Sequence, residues 1–179
     1  MKKLIVVLSF MLTVLPAMAQ NHTDYKLPDE PKRAKYVDYS SLNRGFWFAV
    51  QATPFYYLNG SAGIQGDLIL GYRGGEFFKI GPGISVGTAG NLLTLPVYLD
   101  IRGNIISQES RMVVPYWSLD AGWNLAEPYK AKGLYVSPTA GVRVGMPRND
   151  FIAGLTYIFQ MIPDANPIHA VGLRIGFEF

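Results

Sequence analysis

The chain contains no cysteine. Disulfides, a cysteine-built zinc site and a lipid anchor on an N-terminal cysteine are therefore excluded. Charge is scarce as well: 16% of the 179 residues are charged and 49% are hydrophobic, a balance poorly suited to coating a water-soluble domain. Beyond the N-terminus there is no apolar run of the roughly 18 residues that a membrane-crossing helix needs. A chain this apolar and without such a run enters a bilayer as strands or not at all. Histidine occurs twice, at His22 and His169, which leaves little material for imidazole chemistry.

Glycine and aromatic residues are plentiful, with 19 Gly, 11 Tyr and 10 Phe, a composition that favours an all-β protein. The length suits one domain plus a short tail. Residues 1–19 have the three-part order of a secretory signal peptide: Lys2 and Lys3, the apolar stretch Leu4 to Leu15, then Ala17-Met18-Ala19 as the cleavage site. The mature chain is then expected to begin at Gln20. Losing the two lysines takes the formal charge from +3 to +1, with 14 basic against 13 acidic residues, so the basic pI gives no argument for a nucleic-acid partner. Residues 20–44 include Pro28-Asp29-Glu30-Pro31-Lys32-Arg33, are polar and lack periodicity, and read as an irregular periplasmic tail. Tyr25, Tyr36 and Tyr39 make that tail either a plain spacer or a docking segment for a periplasmic or membrane protein.

From Gly45 to Phe179 the chain becomes eight alternating runs, each close to the ~9–11 residues of a tilted bilayer-crossing strand. The last one shows the pattern most clearly. Val171, Leu173, Ile175, Phe177 and Phe179 alternate with Gly172, Arg174, Gly176 and Glu178. The first sets Phe46, Phe48 and Val50 against Trp47, Ala49 and Gln51, and the runs between them behave alike. Period 2 means two faces in two environments, and the glycine-rich polar face fits a narrow interior better than an exterior. The expectation is therefore an eight-stranded antiparallel transmembrane β-barrel, with aliphatic and aromatic residues against lipid and both termini in the periplasm. Connections 73–76, 103–111 and 146–149 become periplasmic turns. Pro82, Pro96, Pro115 and Pro138 fall inside four runs, where bulges or local breaks are expected.

The region 45–179 resembles the small outer-membrane β-barrel domain family of Gram-negative bacteria, OmpX- or OmpA-like in architecture. The resemblance is carried by Leu95-Pro96-Val97-Tyr98-Leu99, Ser137-Pro138-Thr139-Ala140-Gly141-Val142-Arg143 and the terminal Phe177-Glu178-Phe179. It implies residence in the outer membrane and contact with its lipid. It also implies that Phe177 and Phe179 belong to the signal read by the outer-membrane insertion machinery. Such a fold hosts many activities and specifies none of them.

The inward face offers eight ionisable residues: Asp67, Lys79, Asp100, Arg102, Asp120, Arg143, Arg174 and Glu178. Unpaired charge in a low-dielectric interior is costly, so these are expected to pair into a salt-bridge plug; the alternative is a narrow polar channel for small solutes. A lipid-modifying enzyme is a third reading. It finds little support, because His169-Ala170-Val171 lacks the serine that a His-x-Ser pair on a lipid-facing strand would need. Gly81-Pro82-Gly83 has neither the spacing nor the following helix of a nucleotide loop. No catalytic set, cofactor or metal site is expected, and the leading expectation is a non-enzymatic barrel with a structural or partner-binding role.

Overall fold

In a computed structural model of the protein, the residues described are 43–58, 60–89, 92–109, 111–125, 132–146, 148–161 and 166–179. The expected signal peptide and nearly all of the expected tail lie outside them. The strands are β1 (Gly45–Tyr57), β2 (Ala62–Arg73), β3 (Lys79–Ala89), β4 (Leu92–Thr94), β5 (Pro96–Asn104), β6 (Val113–Asn124), β7 (Gly133–Met146), β8 (Asn149–Met161) and β9 (Ile168–Glu178). Every pairing is antiparallel. The order β2-β1-β9-β8-β7-β6-β5-β3, with β2 returning to β3, closes the sheet on itself. Short β4 and β5 are one wall interrupted at Leu95, since both pair with β3 in a single register. The molecule is an eight-walled antiparallel barrel, as the eight alternating runs predict.

Alternation decides which side chains face in. Along β1, Trp47, Ala49, Gln51, Thr53, Phe55 and Tyr57 are buried, while Phe46 (82% exposed) and Val50 (46%) look out. The same parity holds around the wall, with Leu68, Leu70, Ile84, Leu99, Leu155 and Val171 all exposed. Removing one such side chain from water is worth about 1.5–3 kcal/mol, so an exterior built of them belongs against hydrocarbon. Among the described residues no helix is long and apolar enough to cross a membrane. The strands are the crossing elements, and closure leaves no unpaired edge within the lipid.

The prolines interrupt pairing without shifting it. Pairing between β2 and β3 skips the residues at Pro82, that between β7 and β8 skips those at Pro138, and that between β1 and β9 skips those at Pro54, yet each register resumes unchanged. Of the bulges or local breaks expected, Pro82 and Pro138 show local breaks, each a one-sided gap. A strand residue points its N–H toward only one neighbour, so proline removes one ladder bond and leaves the other side intact. At Pro96 the gap is bridged: Leu95 N donates to Asn124 Oδ1 at 2.8 Å and Leu125 N donates to Leu95 O at 2.9 Å. The gaps at Pro82 and Pro138 coincide with shallow apolar grooves on the outer surface, of about 510 Å³ and 310 Å³.

Glycine makes room for large interior rings. A Cβ on Gly71 would come within 2.7 Å of Trp47 Nε1, and one on Gly83 within 2.5 Å of the Tyr98 ring. Gly71 and Gly81 also face each other across the gap at Pro82, where a Cβ on Gly81 would lie 2.4 Å from Leu70 O. Backbone cannot yield as a flexible side chain can. Gly81→Ala is therefore expected to lower stability by about 1–3 kcal/mol, measured by reversible denaturant unfolding of the refolded barrel in detergent; an unchanged midpoint would show that the two walls are not in close approach there.

Candidate functional site

Among the described residues, chemistry-bearing side chains converge in the polar interior, around the carboxylate of Glu178 at the end of β9. Parity turns it inward between Phe177 and Phe179, and it is completely buried. Lys79 Nζ lies 2.5 Å from Oε1, and Arg73 Nη2 lies 3.5 Å from the same oxygen. Arg143 donates to both oxygens, Nη1 to Oε1 at 3.2 Å and Nη2 to Oε2 at 3.0 Å, while Arg102 Nη1 reaches Oε2 at 3.5 Å. These four cations come from β2, β3, β5 and β7, none of which pairs with β9. The carboxylate therefore staples the barrel across its lumen.

Further acids share the cations. Asp100 takes Arg102 in a two-point contact, Nε to Oδ1 at 2.6 Å and Nη2 to Oδ2 at 2.7 Å, the planar arrangement that makes arginine–carboxylate pairs strong. Gln51, with its amide oxygen turned to the same guanidinium, accepts at 2.7 and 3.0 Å, and the Trp47 ring lies under it at 4.7 Å. Asp150 bridges Arg143 at 3.4 Å and Gln108 Nε2 at 2.9 Å. One level away, Arg174 Nη2 pairs with Asp120 Oδ2 at 2.7 Å and donates to Ser137 Oγ at 3.2 Å. Asp100 and Asp120 are directly opposed on β5 and β6, a like-charge pair that is unfavourable by itself and is separated in charge terms by Arg102 and Arg174.

Asp67 is treated differently. It is buried, and neutral donors surround it: Gln65 Nε2 at 2.7 Å, Tyr98 Oη at 3.2 Å, Thr53 Oγ1 at 3.3 Å and Ser85 Oγ in close contact. Tyr135 donor and acceptor capacity joins the same cage through Gln65 at 3.1 Å, and its ring sits 5.7 Å from that of Tyr98.

All eight inward ionisable residues named from sequence are thus buried in the interior. Lys79, Arg102, Asp100, Arg143 and Glu178 gather at the end that carries Gly45 and Phe179, Arg174 and Asp120 pair beyond them, and Asp67 stands apart. Two members were not counted from sequence, Arg73 and Asp150. Both have inward parity at a strand end, Arg73 last in β2 and Asp150 second in β8, where a turn and a strand are hard to tell apart. With them the buried bases are Arg73, Lys79, Arg102, Arg143 and Arg174, and the buried acids are Asp67, Asp100, Asp120, Asp150 and Glu178. Among the described residues, five buried bases stand against five buried acids.

The turn between β5 and β6 packs Gln108 into this end. Gln108 is 1% exposed; its N–H donates to Glu76 Oε2 at 2.8 Å and its side chain to Gly145 O at 3.2 Å and to Asp150. On the outside, aromatic residues cluster at the two ends, as interfacial girdles do. Phe48 stacks on Phe179 at 4.7 Å, and Phe151 meets Phe177 at 5.3 Å. Reciprocal bonds between Phe48 and Phe179 backbones, at 3.1 and 2.9 Å, zip the first and last strands together. At the opposite end His169 faces outward, its Nδ1 2.5 Å from Tyr157 Oη and its ring 5.4 Å from Phe159. Two residues on, Val171 is exposed on the same outer face.

A closed antiparallel barrel with an apolar exterior and a charged interior is the fold seen in eight-stranded outer-membrane β-barrels. Among solved structures the chain is similar to Neisserial surface protein A, with a TM-score of 0.61 and 14% identity over 74% of this chain and 95% of that one. The N-terminal β-barrel domain of Pseudomonas aeruginosa OprF gives a TM-score of 0.46 and 17% identity, over 74% of this chain and 97% of that one. No protein-family model matches the chain, and no curated protein sequence matches it.

Because four buried cations share Glu178, neutralising it leaves them without their common counter-charge. Glu178→Gln, which preserves shape, is expected to cost about 3–5 kcal/mol, read as a lowered unfolding midpoint in detergent. A loss below about 1 kcal/mol, the scale of an exposed pair, would mean the cluster is hydrated and only loosely coupled.

Proposed function

We propose that this protein is a small, closed, non-enzymatic outer-membrane barrel with a structural role, its lumen plugged by salt bridges and both termini on the periplasmic side. The observation that carries the reading is the balanced set of ten buried charges, which reaches across the lumen from β9 to four walls it does not pair with. A permeation path requires mobile water and ions along the axis. The Arg102 and Arg143 guanidinium groups meet buried carboxylates at 2.6–3.5 Å, and moving an ion past them means breaking buried pairs. An even number of walls brings Gly45 and Phe179 to one end of the barrel, which in this reading is the periplasmic one.

The competing reading, a narrow channel for small solutes, predicts a different electrical behaviour. Purified full-length protein reconstituted into planar bilayers is expected to give no stable conductance, and Glu178→Gln is expected to raise the frequency of transient openings. Steady ion-selective currents from the unmodified protein would overturn the plug and favour the channel.

A further inference from the structure

Arg73 is the least satisfied charge in the barrel. It is completely buried, yet Nε, Nη1 and Nη2 have no hydrogen-bond partner in the protein. Its ion-pair contact is Nη2 to Glu178 Oε1 at 3.5 Å, an oxygen that Lys79 already holds at 2.5 Å. A guanidinium presents five N–H donors and no acceptor, and donors buried without acceptors carry their full desolvation cost.

The surroundings carry an excess of formal positive charge. Arg73, Lys79 and Arg102 are cross-strand neighbours in one row, and Arg143 meets them at Glu178. Against these four cations stand three carboxylates, Asp100, Asp150 and Glu178. Asp100 is committed to Arg102 through two contacts, and Asp150 is divided between Arg143 and Gln108. Glu76, in the turn below, is engaged by the Gln108 N–H. Other buried atoms at this end also lack partners: the donors Arg143 Nε, Asn104 Nδ2 and the Tyr116 hydroxyl, and the acceptors Asn104 Oδ1 and Gln108 Oε1, neither of which is placed to serve Arg73. Tyr116 lies beneath Arg143, 5.9 Å from its guanidinium carbon, and Asn104 is its cross-strand neighbour. At the next level the surplus reverses, because Asp67 and Asp120 have the single base Arg174. Overall neutrality therefore conceals a cationic compartment with unfilled donors beside an anionic one.

We propose that the terminus end of the lumen binds one small inorganic anion, of halide to oxyanion size, with Arg73 as its principal ligand and Tyr116 and Asn104 as flanking donors. The anion supplies both what the compartment lacks in charge and the acceptors that Arg73 requires. It goes beyond the closed-barrel reading, and is consistent with it, because a bound anion completes the plug.

The test uses the full-length protein in detergent at constant ionic strength, with chloride replacing gluconate in one series and phosphate added in another. A ligand that binds only the folded state raises the unfolding midpoint saturably. The expected result is a rise of several degrees with at least one of the two anions, and its loss in Arg73→Gln. A midpoint indifferent to both means that water alone serves Arg73, and overturns the site. A rise that survives in Arg73→Gln places the ion elsewhere and overturns it too. If Arg73→Gln does not fold, Tyr116→Phe keeps every charge and decides the matter: a several-fold weaker half-saturation supports the site, and an unchanged one overturns it. Electrically silent bilayers together with anion-independent melting would remove the anion site and leave the closed barrel standing.

Discussion

The structure depends on one constraint, that charge withdrawn from water must find its partner inside the wall. The Glu178 carboxylate meets it for four strands at once. Its cations come from β2, β3, β5 and β7, whereas its own strand is hydrogen-bonded to β1 and β8. Ladder bonds join each wall only to its neighbours; these contacts span the lumen and fix its cross-section. Buried ion pairs are often no more stabilising than well-packed apolar residues. Their contribution here is to choose one register: a strand slipped by a single residue would place Glu178 in lipid and Phe177 among the arginines.

The exterior follows from the same division of labour. With polar groups gathered inside and the sheet closed, the outer surface is free to be apolar all round, and the prolines at 54, 82 and 138 are tolerated because each sacrifices a bond on one side only. The glycines complete the arrangement. Positions 71 and 83 leave space for the Trp47 and Tyr98 rings, which in turn cover Arg102 and help enclose Asp67. Aromatic rings, guanidinium groups and small residues thus fill a lumen that aliphatic side chains would leave without hydrogen bonds.

Much of this was legible in the sequence because period 2 is a physical signal. Phe46 to Thr53 and Val171 to Phe179 declare their two faces residue by residue, and closure of the last run on the first follows once eight runs are counted. The interruption at Leu95 was less legible, since the alternation continues straight through it. Arg73 and Asp150 were missed for a related reason, as strand ends and turns share composition. The pairing itself was beyond reach: parity places Asp120 and Arg174 inside, but only the closed register brings them to 2.7 Å. The activity had no signal of this kind, because a charged interior is compatible with a plug or with a path.

The most direct test of a closed, paired lumen is carbodiimide labelling of carboxylates in the full-length protein in lipid vesicles, with a water-soluble amine and peptide mass mapping. The account predicts that exposed Glu109 is modified while Asp67, Asp100, Asp120, Asp150 and Glu178 remain unreacted until the barrel is unfolded. Modification of Asp120 or Glu178 at the rate of Glu109 in the folded protein would contradict it.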